Sequence, residues 1–133
     1  MADVFFDSNV MLYLFGADSN KASRSEDLLA QGGVISAQVL NEFSSVALRK
    51  MRKTWPQIHE MLNGIRANCS VVAVTVEVHE RGLMIAERYK LQVYDSMIVA
   101  AALLADCTTL YSEDMHTGLV IDGLTVRNPY IGP

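Results

Sequence analysis

The chain has 133 residues, of which 50% are hydrophobic and 20% are charged, with a formal net charge of −4 at pH 7. This length and apolar content predict one compact domain spanning residues 1–133 and exclude a disordered chain. No stretch approaches the roughly 18 apolar residues that cross a membrane, and no export signal is visible, so we expect a cytoplasmic protein. The acidic balance argues against non-specific coating of nucleic acid, but it allows a site that meets phosphates through bound cations.

Strand-like and helix-like segments alternate along the chain. Apolar and β-branched runs predict strands at residues 3–7, 34–36, 70–75, 108–112 and, at an edge of the sheet, 124–128. Helical spacing of apolar residues predicts helices at residues 8–15, 21–31, 37–51, 56–67, 76–90 and 94–106. Such alternation predicts an α/β fold with a parallel sheet of four or five strands, helices on both faces, and ligands at the carboxyl ends of the strands.

The first predicted strand ends at a carboxylate, Asp7, within the run VFFDSNV at positions 4–10. Its side chain would project into the crevice above the sheet, where ligands bind. Asp7 is also a good capping residue for the helix that follows, although Ser8 would serve equally well. Both interpretations stay open for Asp7 alone.

Three further acids fall near the same rim, and each has an ordinary alternative. Glu42 lies one turn into the helix after the second strand, at the margin of its apolar stripe, where a half-exposed glutamate is common. Asp95 begins a strongly apolar helix, where its charge against the helix dipole stabilises by about 0.3–1 kcal/mol without any further role. Asp114 follows a strand in the loop SEDMHTG, where turn aspartates are frequent.

A convergence of four carboxylates has a chemical consequence. Like charges in a partly desolvated cleft repel, so that some must bind protons unless a cation joins them. Oxygen ligands without a neighbouring histidine or cysteine select Mg²⁺ or Mn²⁺. The sequence therefore predicts a divalent metal site at this rim, with Asp7 among its ligands.

Four regions resemble the signature motifs of PIN-domain ribonucleases, in particular the VapC-type toxins of bacterial toxin–antitoxin pairs. These are FFDSNVMLYLF, the isolated glutamate of VLNEF, VYDSMIVAAALLA, and the closing LYSEDM with GLTVRNPY. The resemblance runs essentially from end to end. It implies a three-layer PIN-like fold, hydrolysis of RNA phosphodiester bonds, homodimerisation, and a small antitoxin that blocks the active cleft.

The resemblance also implies an acidic quartet of Asp7, Glu42, Asp95 and Asp114, supported by hydrogen bonds from Asn9 and Ser112. We interpret Asp7 and Asp95 as direct ligands of the principal metal, and Glu42 and Asp114 as partners through water or to a second ion. One departure concerns the closing motif, which is Ser-Glu-Asp where many relatives have Thr-x-Asp. Glu113 therefore competes with Asp114 for the fourth place.

Basic residues are needed to hold the RNA backbone, and RKMRK at 49–53 is the one concentrated positive stretch. Within it we expect Arg49 and Arg52 to bind RNA. Arg49 falls two turns beyond Glu42 on nearly the same helix face, where a guanidinium would grip a flanking phosphate. For Lys50 and Lys53, cations placed against the negative end of the helix dipole are an equally good explanation.

Two other functions remain as alternatives. A receiver-like signalling domain is also a small acidic α/β domain that binds Mg²⁺, but by family resemblance it needs an acid at the end of its third strand and a lysine after its last core strand. Here SVVAVT ends without an acid and TTLYSEDM contains no lysine. A PIN-like binding module that has lost catalysis and acts through a partner protein is the second alternative, which the presence of all four acids disfavours.

Overall fold

The computed structural model describes residues 3–131, which form helices and strands in the predicted alternation. The strands are β1 (Val4–Phe6), β2 (Gly33–Ser36), β3 (Cys69–Val72), β4 (Thr109–Tyr111), β5 (Val120–Ile121) and β6 (Leu124–Arg127). The helices are α1 (Ser8–Leu14), α2 (Ser19–Ala30), α3 (Ala37–Arg49), α4 (Trp55–Asn68), α5 (Val76–Tyr89) and α6 (Val93–Leu104). The α/β fold class is confirmed.

The strands form one sheet in the order β3-β2-β1-β4-β6-β5, in which every pairing is parallel except that of β5 with β6. From β1 the chain moves outward to β2 and β3, and it then returns to β4 on the other side of β1. The direction of the connections therefore reverses between β1 and β4. In doubly wound sheets the ligand crevice lies at such a switch point, beyond the carboxyl ends of the strands.

The helices form two groups that cover opposite faces of the sheet. Helices α1 to α4 pack against one another, while α5 packs closely on α6. Parallel crossovers are right-handed, so connections that run in opposite directions along a sheet place their helices on opposite faces. The outward crossovers contain α1 to α4 and the return crossover contains α5 and α6, which gives the three-layer PIN-like arrangement.

The prediction of β6 as an edge strand is wrong. β6 lies between β4 and the short β5, which pairs with it in antiparallel register and was not predicted. The two strands are joined by Asp122 and Gly123, both with positive φ (49° and 90°). Two central residues of this kind make a tight hairpin turn whose twist matches that of the flanking strands. A two-residue strand is too short for an apolar alternation to reveal it.

Local capping fixes where several helices begin. The Asp7 side chain accepts a hydrogen bond from the Ser8 backbone N–H (2.7 Å) at the start of α1. Asp18 caps α2 by accepting from the N–H groups of Asn20 and Lys21 (both 3.1 Å), so that this helix begins at Ser19, two residues before the predicted start. Capping side chains of this kind satisfy N–H groups that have no partner within the helix.

The core lies on both faces of the sheet and brings β1 and β2 very close together. Phe5 and Phe6 of β1 are fully buried, as is Ile98 of the strongly apolar α6. A Cβ atom added to Gly33 of β2 would lie 2.3 Å from the Phe6 ring, so glycine is required for this approach. Across residues 3–131 the helices are too short or too polar to cross a membrane.

Candidate active site

The site begins where β1 and β4 end side by side. The register pairs Phe6 with Tyr111, and its continuation pairs Asp7 with Ser112. The Asp7 backbone N–H donates to the Tyr111 carbonyl (3.0 Å), and the Ser112 hydroxyl donates to Asp7 Oδ2 (2.8 Å). Both side chains are buried, with Asp7 4% and Ser112 0% exposed. The parallel register therefore places a carboxylate at the switch point with a hydroxyl donor beside it.

Asn9, in the first turn of α1, connects Asp7 to Asp114. Its Nδ2 donates to Asp114 Oδ2 (3.2 Å) and, over longer distances, to Asp7 Oδ2 (3.4 Å) and to the Ser112 hydroxyl (3.5 Å). Its Oδ1 accepts from the Glu113 backbone N–H (3.2 Å). The side-chain amide of Asn9 therefore binds two of the four predicted acids and the backbone N–H of Glu113.

Glu42 approaches the same place from α3, which follows β2. Gln38, one turn earlier, donates from Nε2 to Glu42 Oε2 (3.4 Å) and to the Tyr94 carbonyl (3.0 Å). This amide ties α3 to the start of α6, where Asp95 follows Tyr94. Glu42 and Asp95 are thereby brought to the same side of the site from elements that are distant in sequence.

The pKa values of Asp7 and Asp95 are both raised, in part because other carboxylates lie nearby. The pKa of Asp7 is raised from 3.8 to about 6, chiefly by burial and to a smaller extent by the charges of Glu42 and Asp95, while hydrogen bonds from Ser112 and Ser8 act to lower it. Burial also raises the pKa of Asp95, with a contribution from the charge of Asp114. Each predicted acid therefore interacts with at least one other, as expected for carboxylates gathered in a partly desolvated place.

The side chains of Glu113 and Asp114 point in different directions. Glu113 turns away towards α1 and α2, where it accepts hydrogen bonds from the Tyr13 hydroxyl and from Lys21 Nζ (2.6 Å). Burial acts to raise the pKa of Glu113, but these two donors outweigh it and lower that pKa below its ordinary value. Asp114 instead faces Asn9 and the other acids, which favours it as the fourth member.

A cleft of about 440 Å³ opens beside these acids, between α1, α3 and the loop after β4. Its lining combines two predicted acids and two cations with small polar groups and two apolar side chains: Ser8, Asn9, Leu12, Glu42, Ser45, Val46, Arg49, Lys50 and Asp114. Asp7 is buried behind Asn9, and Asp95 lies near the cleft without lining it. The cleft offers both anionic and cationic groups to a bound molecule.

The two predicted RNA-binding arginines differ in position. Arg49 lines the cleft, and its Nε donates to the Ser45 hydroxyl one turn earlier (3.1 Å). Arg52 does not line this cleft; it follows the end of α3 in a left-handed backbone conformation (φ 53°) and is exposed. Lys50, which the sequence explained equally well as a helix-end cation, lines the cleft beside Arg49.

The donor set fits a hard divalent cation by its chemistry. The four acids offer only carboxylate oxygens, which Mg²⁺ and Mn²⁺ prefer, and burial together with the neighbouring charges penalises ionisation of Asp7 and Asp95. Within residues 3–131, no three acidic, histidine or cysteine side chains lie close enough to hold one ion as they stand. Mg²⁺ commonly keeps several water ligands and is held by only one or two carboxylates, so a set of three is not required.

Sequence reasoning missed the partners of Glu113, namely Tyr13 and Lys21. The ion pair joins positions 92 apart in the chain, and no local pattern indicates such a pairing. Tyr13 carried a weak signal, because it lies four residues after Asn9 and therefore on the same face of α1.

Comparisons with known proteins agree with this fold. The family model for the PIN domain matches residues 4–116. A comparison with curated proteins found no match. Among solved structures, a toxin–antitoxin complex from Klebsiella pneumoniae is 22% identical, with a TM-score of 0.74 over 96% of this chain and 98% of that one.

Two further solved structures have the same fold at lower identity. VapBC2 from Rickettsia felis, bound to a DNA fragment from its promoter, is 17% identical with a TM-score of 0.71, over 94% of this chain and 97% of that one. VapC20 from Mycobacterium tuberculosis, described as a toxin that cleaves the sarcin–ricin loop, is also 17% identical, with a TM-score of 0.65 over 84% and 89% of the two chains.

Proposed function

This chain belongs to the PIN domain family, and from that premise we propose that it is a metal-dependent endoribonuclease, the toxin of a VapBC-type toxin–antitoxin pair. The observation that carries the proposal is the link from Asp7 through Asn9 to Asp114 at the switch point of the sheet, with Glu42 and Asp95 acting on the same group of charges. The structural neighbours are toxins and toxin–antitoxin complexes, which supports the biological assignment.

In the proposed site Asp7 and Asp95 bind the principal metal directly, and Glu42 and Asp114 act through water or on a second ion. When bound, Mg²⁺ or Mn²⁺ supplies a water of lowered pKa and neutralises charge on the leaving oxygen of a phosphodiester. Asn9 and Ser112 orient the carboxylates of Asp7 and Asp114 through their hydrogen bonds. No side chain has to act as a nucleophile in such a reaction.

The substrate is proposed to be RNA, held by Arg49 and Arg52. Arg49 lines the cleft on the helix that also contributes Glu42, so that a phosphate next to the cleaved bond would lie within its reach. The fork of the guanidinium suits a phosphate better than a point charge does. Arg52, beyond the end of α3, would hold the strand outside the cleft.

The partners are proposed to be a small antitoxin that covers the cleft and a second copy of this chain. The neighbours from Klebsiella pneumoniae and Rickettsia felis support the first, since both are complexes of a toxin with its antitoxin. Exposed apolar side chains on α5 and α6 support the second, among them Met84 at 71% and Tyr94 at 70% exposure. A short open reading frame immediately upstream of the gene is the expected source of the antitoxin.

The decisive experiment incubates the protein with labelled RNA in Mg²⁺, in Mn²⁺ and in EDTA. We expect cleavage only with a divalent ion, and no cleavage by Asp7→Asn, which removes a charge but little volume. Asp27→Asn, an exposed change on α2, is the matched control and should cut normally.

A catalytically silent binding module is the second candidate, because the closing motif is Ser-Glu-Asp where many relatives have Thr-x-Asp. Intact RNA in every condition, with retained binding, would favour that module. Normal cleavage by Asp7→Asn would refute the metal assignment.

A further inference from the structure

Glu113, the residue before Asp114, belongs to a separate polar cluster with Tyr13 and Lys21. Glu113 accepts from Lys21 Nζ (2.6 Å) and from the Tyr13 hydroxyl, and Lys21 Nζ also lies 3.2 Å from that hydroxyl. The same ammonium lies 4.4 Å from the centre of the Tyr13 ring and 5.5 Å from that of Tyr130. Lys21 therefore has a carboxylate, a hydroxyl and two aromatic faces around it.

This cluster holds the loop after β4 at a second point. The first point is Asn9, whose side chain accepts from the Glu113 N–H and donates to Asp114. Tyr13 lies one turn further along α1 and binds the Glu113 carboxylate, so that the two contacts are made by the same helix face. Helix α1 thereby binds both the backbone N–H and the side-chain carboxylate of Glu113.

We propose that Lys21 and Glu113 are positioning residues, whose ion pair holds the loop so that Asp114 faces Asn9 and the acidic site. This inference rests on the proposed function, because it gives Asp114 a metal-binding role. It also gives a reason for the acid in the Ser-Glu-Asp motif: with Lys21 as its partner, Glu113 does not add charge to the site but anchors the residue that does.

Two physical effects follow from loss of the pair, and they differ between its members. Removal of Lys21 frees the loop and also leaves the Glu113 charge without its cation, next to Asp114. Glu113→Gln frees the loop less, since an amide oxygen still accepts from Tyr13, and it adds no charge. The side chains of Lys21 and Glu113 are 30% and 24% exposed, so both changes are accommodated without leaving a deeply buried charge. We therefore expect Lys21→Met to disorder the loop more than Glu113→Gln. The unpaired Glu113 charge would by itself attract a cation, so a fall in Mn²⁺ affinity in Lys21→Met reports displacement of Asp114.

The test compares Lys21→Met, Lys21→Arg and Glu113→Gln with the wild type, and uses Glu26→Gln, an exposed change on α2, as the control. The first readout is Mn²⁺ affinity measured by calorimetry. Loss of a residue that orients a metal ligand weakens metal binding by about 10–100-fold, and we expect the lower part of that range for Lys21→Met. Lys21→Arg, which keeps the cation, should restore most of the affinity.

The second readout needs no metal. The backbone N–H groups of Glu113 and Met115 donate to the side chains of Asn9 and Ser112 (3.2 and 3.3 Å). Their rates of hydrogen exchange, measured in EDTA, therefore report how well ordered the loop is. We expect faster exchange of both amides in Lys21→Met and rates near wild type in Lys21→Arg. Melting temperatures measured alongside show whether each variant is folded.

Unchanged Mn²⁺ affinity or unchanged exchange in a folded Lys21→Met would overturn the proposal. A wild-type protein that binds no divalent ion and cuts no RNA would refute the proposed function separately. In that event the exchange rates alone decide whether the ion pair holds the loop in place.

Discussion

The Ser112 hydroxyl donates a hydrogen bond of 2.8 Å to the Asp7 carboxylate, although the two residues are 105 positions apart in the chain. The contact follows from the register of β1 and β4, which pairs the residue after one strand with the residue after the other. It places a buried acid beside a hydrogen-bond donor, at a point where the charges of Glu42 and Asp95 also act.

We expect Asp7→Asn to stabilise the protein at neutral pH in the absence of divalent ions. Burial raises the pKa of Asp7 from 3.8 to about 6, so above pH 6 the folded state contains an ionised carboxylate in an unfavourable place. Removal of the charge should increase the free energy of unfolding by about 1–3 kcal/mol at pH 7.5. Urea denaturation in EDTA measures this change.

The sign of the pH dependence provides the control for that prediction. Between pH 3.8 and 6 the folded state keeps a proton on Asp7 that the unfolded chain releases, so this residue makes the wild type less stable as the pH rises. At pH 4 the stabilisation by Asp7→Asn should therefore be small. An equal effect at pH 4 and pH 7.5 would show that ionisation of Asp7 carries no penalty in the folded state.

Protons should compete with the metal for Asp7. With a pKa of about 6, roughly a tenth of this carboxyl is ionised at pH 5, and most of it is ionised at pH 7. A metal ligand has to be deprotonated, so the apparent Mn²⁺ affinity should fall about tenfold between pH 7 and pH 5. Calorimetric titration at the two pH values measures this. An affinity that does not change with pH would exclude Asp7 as a ligand.

We expect Arg49→Ala to weaken RNA binding about tenfold, and to reduce the slope of log affinity against log salt by about one. Arg49→Lys should keep most of the charge but lose the forked hydrogen bonding. Fluorescence anisotropy with a labelled single-stranded RNA in EDTA measures binding without cleavage. Arg66→Ala, an exposed change in the last turn of α4, serves as the control. Equal losses in the Arg49 and Arg66 variants would mean that the cleft does not hold the strand.

Two glycine substitutions should change stability in opposite directions. In Gly33→Ala the new Cβ would lie 2.3 Å from the Phe6 ring, which is fully buried and cannot move aside freely, so we expect a loss of about 1–3 kcal/mol. In Gly64→Ala the new methyl group meets no atom within 4 Å, and alanine favours the helix, so we expect a gain of about 0.5–1 kcal/mol. Thermal and urea unfolding test both. A harmless Gly33→Ala would mean that β1 and β2 can separate at this point.

The sequence was informative wherever position in the chain determines position in the sheet. Acids that follow a parallel strand, such as Asp7 and Asp114, must come to the same edge, and the structure brings them to the two sides of Asn9. Glu42 and Asp95 lie near the starts of α3 and α6. Their charges raise the pKa of Asp7, as expected if the predicted acids lie close together. Their roles as metal ligands stay a prediction.

Features that depend on tertiary contacts were beyond the sequence. Helix α3 was predicted to continue to residue 51 but ends at Arg49, and the left-handed turn at Arg52 directs the chain away from the helix. The competition between Glu113 and Asp114 could not be settled either, because it depends on Lys21, a residue of a different helix. The order of the strands near the chain end needed β5, which has only two residues.

The pairing of β1 with β4 also has a meaning for protein synthesis. During translation Asp7 is made early, and Asp114 is made only after more than a hundred further residues. Strand β4 must then pair with β1 before the four acids can come together. A partly made chain therefore cannot assemble the acidic site, because the four carboxylates come together only once the strand before Asp114 has been synthesised.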